Sequence, residues 1–247
     1  ANFNTSVSGI QGMTFDNGST DSTADTDPTN DTLYVAHTGS GLISKTGIPS
    51  DKTNNPRGLA YDSSAGELFI LVDGKGKAPD HVVVTDTSGA QQRNFAMPRG
   101  DAHGITLLGG SLYVSLEGSS EFGPGQREIV VLNPSTGAET DRFDINNVPG
   151  QEHAGLSNNG TSLILAAEFG GLQILDPSDG NRIDELVLFD PENFNSFFER
   201  FGALAFNTTT EEYFPVDGDT VFRFDEEGRL IEDFELNASG FNSVQGA

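Results

Sequence analysis

The stretch Gly58-Leu59-Ala60-Tyr61-Asp62, followed by Glu67-Leu68-Phe69-Ile70-Leu71-Val72 and by His81-Val82-Val83-Val84-Thr85-Asp86-Thr87-Ser88-Gly89, decides the fold. It holds three short apolar runs, rich in β-branched or aromatic residues and bounded by turn residues, as strands are. Asp86 opens a turn by bonding its own backbone, and Gly89 supplies the positive φ that ends it. The phrase recurs. Copies begin at Gly12, Gly58, Gly104, Gly155 and Ala203, at spacings of 46 to 51 residues. A fourth strand follows each Asp/Asn-to-Gly turn, as after Asn133-Pro134-Ser135-Thr136-Gly137 and Asp176-Pro177-Ser178-Asp179-Gly180.

Four strands per repeat, with no long amphipathic stretch, predict an all-β propeller of five four-stranded blades, six being less favoured. The repeats run over about 12–57, 58–103, 104–154, 155–202 and 203–246, within a single domain spanning 1–247. Ser243-Val244-Gln245-Gly246 echoes Ser8-Gly9-Ile10-Gln11-Gly12, so an N-terminal strand is expected to close the last blade and remove its open edge. The segment 191–201 breaks the pattern. Phe194, Phe197, Phe198 and Phe201 recur at helical spacing after Pro191-Glu192, which predicts a short helical insertion there.

Composition narrows the function. Acidic residues number 37 against 13 basic, for a formal net charge of -24. Such a surface repels nucleic acid and anionic lipid, which argues against both as partners. There is no Cys, so thiol catalysis, thiolate metal sites and disulfides are excluded. No apolar run reaches membrane-spanning length, so no membrane insertion is expected. The balance suits an extracellular, periplasmic or cell-surface protein, free or as a domain of a larger surface assembly.

Gly58-Leu59-Ala60-Tyr61-Asp62 with Glu67-Leu68-Phe69-Ile70, and Gly110-Ser111-Leu112-Tyr113-Val114 with Ile129-Val130-Val131-Leu132-Asn133, resemble the NHL/SMP-30/YVTN group of propeller repeats. The five-blade count is similar to the SdiA-regulated-like propellers. The resemblance implies a propeller over nearly the whole chain. It leaves function open, since the superfamily holds lactonases, lyases, phytases and binding modules.

Chemistry-bearing residues fall at two places in the repeat. Before the first strand stand Gln11, Arg57, His103, Glu152 with His153, and Arg200; after the second stand His37, Asp73, Glu117, Glu168 and Asp217. In a propeller both places lie toward the channel mouth, so a polar cluster is expected there. A small ligand or a protein partner would be held by Arg57, Asp73, His103, Glu152, His153, Arg200 and Asp217. If the protein is an enzyme, His103, His153, Glu117, Glu168 and His37 are the candidate acid/base or metal-holding set. The acidic loop 21–31 presents Asp25, Asp27, Asn30 and Asp31 at short alternating spacing, the donor type of a calcium site. A calcium-stabilised binding module is therefore favoured over a metal-dependent hydrolase, lactonase or lyase, because no nucleophile elbow, phosphate loop or metalloprotease motif is present.

Overall fold

The computed structural model describes residues 10–16, 32–37, 56–72, 74, 79–87, 89–98, 101–117, 127–148, 153–167, 171–192, 195–196, 201–217 and 220–235. Every regular element among them is a strand, and the fold is a β-propeller. Strands β1 (Ile10–Asp16) and β2 (Thr32–His37) form a two-stranded sheet. The first four-stranded blade is β3 (Pro56–Asp62), β4 (Glu67–Val72), β5 (His81–Asp86) and β6 (Gln91–Ala96). The second is β7 (Asp101–Leu108), β8 (Ser111–Glu117), β9 (Arg127–Leu132) and β10 (Glu139–Asp144). The third is β11 (His153–Asn158), β12 (Leu163–Ala167), β13 (Gly171–Leu175) and β14 (Arg182–Val187). A short pair, β15 (Phe189–Asp190) and β16 (Asn195–Ser196), precedes the fourth blade. That blade is β17 (Ala203–Asn207), β18 (Glu212–Asp217), β19 (Thr220–Phe224) and β20 (Leu230–Glu235). Each blade is an antiparallel meander in chain order.

The first strands of the sheets pack side by side: β1 against β3, β3 against β7, β7 against β11, β11 against β17, and β17 against β1. The circuit returns to its start. Middle strands are buried on both faces, which is why they read as continuous apolar runs. In β4, Leu68, Ile70 and Val72 join Leu59 and Val83 on one face. Phe69 and Leu71 face the second blade with Val82 and Val84, meeting Ile105, Leu112, Val114 and Val130. Alternation along a pleated strand puts successive side chains on opposite faces, and in β4 both faces are buried. The outermost strands β6, β10 and β14 are largely exposed.

The leading glycine of the repeat has a packing cause. A Cβ on Gly58 would lie 2.9 Å from Ile105 Cγ2 and 3.1 Å from the Ile105 nitrogen. A Cβ on Gly155 would lie 2.8 Å from the Leu204 nitrogen. Adjacent first strands approach too closely there for a side chain. The turn residues act as expected. Asp62 Oδ1 accepts from the amides of Ser64 and Ala65, Asn133 Oδ1 from Ser135 and Thr136, and Asp225 Oδ1 from Glu227 and Arg229.

One expectation is met in part and another needs correction. Four four-stranded blades are described where five were expected, with β1–β2 the only part of the first repeat among the described residues. The helical insertion is not formed: Asn195–Ser196 is extended and pairs with Phe189–Asp190. Pro191 and Glu192 make a turn closed by the Glu192 amide on Asp190 Oδ1. Phe189 donates its amide to Gly228 O, and Phe201 is buried edge-on to Phe222. Tertiary anchors at both ends override the aromatic spacing. Phe194, Phe197 and Phe198 lie outside the described residues, as does the expected closing strand before Ile10.

The acidic surface carries a testable strain. The Glu226 carboxyl is held above the ordinary carboxylate range, chiefly by its hydrogen bond to Glu211 and then by the charges of Glu227 and Glu211. The folded state therefore keeps a proton that the unfolded chain has released. Its contribution to stability is fully present below the ordinary Glu range and is lost as pH rises through the elevated value. Glu226→Gln is expected to raise the melting temperature at pH 7, with the gain vanishing toward pH 4. Thermal melts across that range check it; a gain independent of pH would contradict the assignment.

Candidate functional site at the bulged strand ends

Four of the five first strands are irregular near their start, while β17 pairs with β18 without a shift. The β1–β2 register shifts between Ile10 and Gly12, β3–β4 between Pro56 and Gly58, β7–β8 between Ala102 and Gly104, and β11–β12 between His153 and Leu156. The extra residues are Gln11, Arg57 and His103, with Ala154 and Gly155 in the fourth case. A bulge leaves its residue without a cross-strand partner, interrupts the ladder and re-aims a side chain, and bulges concentrate beside active sites. The A-to-B turns lie at the opposite ends of the same strands, so all four bulges share one end of the propeller.

Arg57 and His103 converge on one carboxylate. An Arg57 guanidinium nitrogen donates to Asp101 Oδ1 across the junction of the first and second blades, and His103 Nε2 stands 4.0 Å from Asp101 Oδ2. The Arg57 and His103 side chains are about one quarter exposed (23% and 24%), whereas Asp101 is 56% exposed. An ion pair this open to water contributes little stability, about 0–1 kcal/mol. The His103 Nε2 atom is itself buried, whereas the Asp101 carboxylate is open to solvent.

Buried groups hold this corner. Asp80, between β4 and β5, is 6% exposed. Its Oδ1 accepts from the Gly74 amide at 2.8 Å, its Oδ2 from the Ala102 amide at 2.7 Å, and its carbonyl from the Met97 amide at 2.7 Å. Ser115, 2% exposed, receives the Gly104 amide on Oγ at 2.9 Å. Neither residue was singled out in the sequence. A signal existed for Ser115. The register sets it opposite Gly104, where Ala36, Leu71 and Val216 face the leading residues Gly12, Gly58 and Ala203.

The register also separates residues that looked equivalent. His103 is a bulge residue, while His153 pairs with Ala167 in the ladder, at the position held by Ile10, Pro56 and Ala102 in the other copies. His37 and Asp217 follow Ala36 and Val216 and share a register position with Val72 and Leu116; Glu117 lies one residue further, opposite Asp101. A one-residue step moves a side chain to the other face of a strand. The structure thus brings together Arg57, Asp101 and His103. Asp217 is half-buried at the end of β18, opposite Thr220. Asp73, Glu152, Glu168 and Arg200, and the loop residues Asp25, Asp27, Asn30 and Asp31, lie outside the described residues. Among the described residues no three His, Asp or Glu side chains gather closely enough to hold a metal ion.

The fold recurs in solved structures. The chain is similar to the glutaminyl cyclase of Myxococcus xanthus, with a TM-score of 0.58 and 13% identity over 87% of this chain and 88% of that one. It is similar to the hydrazine synthase of Kuenenia stuttgartiensis, with a TM-score of 0.51 and 13% identity over 75% of this chain and 65% of that one. At such identities the likeness shows the fold alone. No family model matches the chain, so the likeness to NHL, SMP-30 and YVTN repeats rests on the residues quoted above, and no curated protein matches.

Proposed function

We propose that the chain is an exported binding propeller that seats a carboxylate-bearing ligand, free or on a protein partner, at the bulged ends of its first strands. The observation that carries this is the convergence of Arg57 and His103, both bulge residues, on the exposed Asp101 carboxylate. Guanidinium forks match carboxylates, and a ligand carboxylate would compete with the solvent-exposed Asp101 for Arg57. The net charge of -24 does not forbid an anion. At physiological salt the Debye length is about 8 Å, so distant carboxylates are screened while Arg57 acts at contact. The contacts of β1 with both β3 and β17 support reading the β1–β2 sheet as part of a fifth blade.

Calcium in the loop of Asp25, Asp27, Asn30 and Asp31 belongs to the same proposal, supported by its oxygen-only donors. A chelator is then expected to lower the melting temperature, and added calcium to restore it. A second reading, a hydrolase, lactonase or lyase at the channel, is favoured by one observation: an imidazole nitrogen 4.0 Å from a carboxylate at the bulge, which would serve proton transfer once closed to hydrogen-bond distance.

Acetate is the simplest probe. Titration into the protein is expected to move the His103 imidazole and Arg57 side-chain NMR signals together, and Arg57→Ala is expected to abolish the response. Acetate shifts that survive Arg57→Ala, or that fall elsewhere, would overturn the assignment.

A further inference from the structure

Breaking a ladder at a bulge strands backbone amides, and a buried amide without a partner is costly. At the His103 bulge two buried side chains take up the flanking amides: Asp80 Oδ2 that of Ala102 and Ser115 Oγ that of Gly104. They come from different places. Asp80 belongs to the first blade and lies 22 residues from Ala102; Ser115 lies in β8, opposite the bulge. Ser115 Oγ is also within 3.5 Å of Gly104 O, so the residue after His103 is held at both its backbone groups. The copies do not share this arrangement. Opposite the leading residues of the β1 and β3 bulges stand Ala36 and Leu71, which have no side-chain acceptor to offer. At the Arg57 bulge it is the side chain that is engaged, donating to Asp101.

From this asymmetry we infer that Asp80 and Ser115 are positioning residues, which fix the His103 bulge so that Asp101 and His103 face Arg57, and that the ligand site is single and off-axis, at the junction of the first and second four-stranded blades. This rests on the proposed ligand site. It predicts one site and not a symmetric one shared round the channel, and the clamp at the His103 bulge is the observation behind it. A site assembled within about 0.5 Å needs its supporting groups locked by packing and buried hydrogen bonds, which is the part Asp80 and Ser115 play.

The test uses the full chain and two readouts. Ser115→Ala removes one oxygen from a buried position and is expected to leave the fold intact. It should shift the His103 imidazole signals in the absence of any ligand and weaken acetate binding about tenfold, the effect of one well-placed hydrogen bond. Asp80→Asn, which keeps one acceptor, should move the same signals. Gly66→Ala, in an open turn remote from the clamp, serves as the control and should leave them unmoved. The inference is overturned if Ser115→Ala and Asp80→Asn change stability while the His103 signals and the acetate midpoint stay at their wild-type values. It is equally overturned if saturation fits more than one equivalent acetate site involving the other bulges. Failure of Arg57→Ala to impair acetate binding is the separate outcome that removes the underlying site, and it leaves the ligand-free His103 shifts as the measure of the clamp.

Discussion

Replacing Asp80 by Ala is expected to destabilise the protein by about 3–4 kcal/mol, since charged hydrogen bonds contribute about 1.5–3 kcal/mol and stranded buried donors add their own cost. The carboxylate is buried and ties two blades together through the Gly74 and Ala102 amides. Alanine leaves both amides without their acceptor. For a chain of this length the melting temperature should fall by roughly 6–16 °C, at about 2–4 °C per kcal/mol. Asn, which retains one acceptor oxygen, should cost less than half as much. Equal losses for Ala and Asn would show that the charge itself, and not the two hydrogen bonds, is what the site requires. Denaturant melts of the two variants decide it.

Gly228→Ala is the second large loss. Gly228 sits at φ +79, where an L side chain is strained, and a Cβ would lie 2.5 Å from the Val187 carbonyl oxygen and 3.2 Å from Leu186 Cγ. The obstacle is backbone of the third blade. The turn is further fixed there by the Phe189 amide on Gly228 O. Left-handed strain of about 1–2 kcal/mol and overpacking of about 1–3 kcal/mol together put the cost near 3 kcal/mol. Gly66 is the internal comparison. Its φ is +64, yet nothing lies within 4 Å of a Cβ, so Gly66→Ala should cost about 1 kcal/mol. Equal effects at the two glycines would mean that the blades separate easily at their outer edge.

The scaffold was legible because its causes are local. A leading Gly (Ala203 in the last copy), apolar middle strands, and an Asp or Asn opening the turns leave marks at fixed places in the repeat. The helix expected at 191–201 failed because aromatic spacing reports apolar residues without reporting what they pack on. Phe201 answers to Phe222 in another strand, 21 positions along the chain. The candidate site was half legible. Arg57 and His103 stood out by breaking the repeat, but bulges slide the register by one, so His153 looked like the partner of His103 when it occupies a ladder position. Asp101, next to the bulge, is the residue that joins the cluster. Asp80 was invisible, because a carboxylate after Pro79 in a loop reads as solvated, and only tertiary structure brings the Ala102 amide to it.

The central claim is that the bulge residues serve a ligand while glycines, apolar runs and buried clamps build the fold. It is tested most directly by the Arg57→Ala, His103→Ala double variant, measured for unfolding free energy and for acetate binding at the Asp101–Ile105 amide signals. The predicted result is stability within about 1 kcal/mol of wild type, as contacts to an exposed carboxylate allow, with the acetate response lost. A variant that unfolds, or one that keeps its stability and still binds acetate as wild type does, would contradict it.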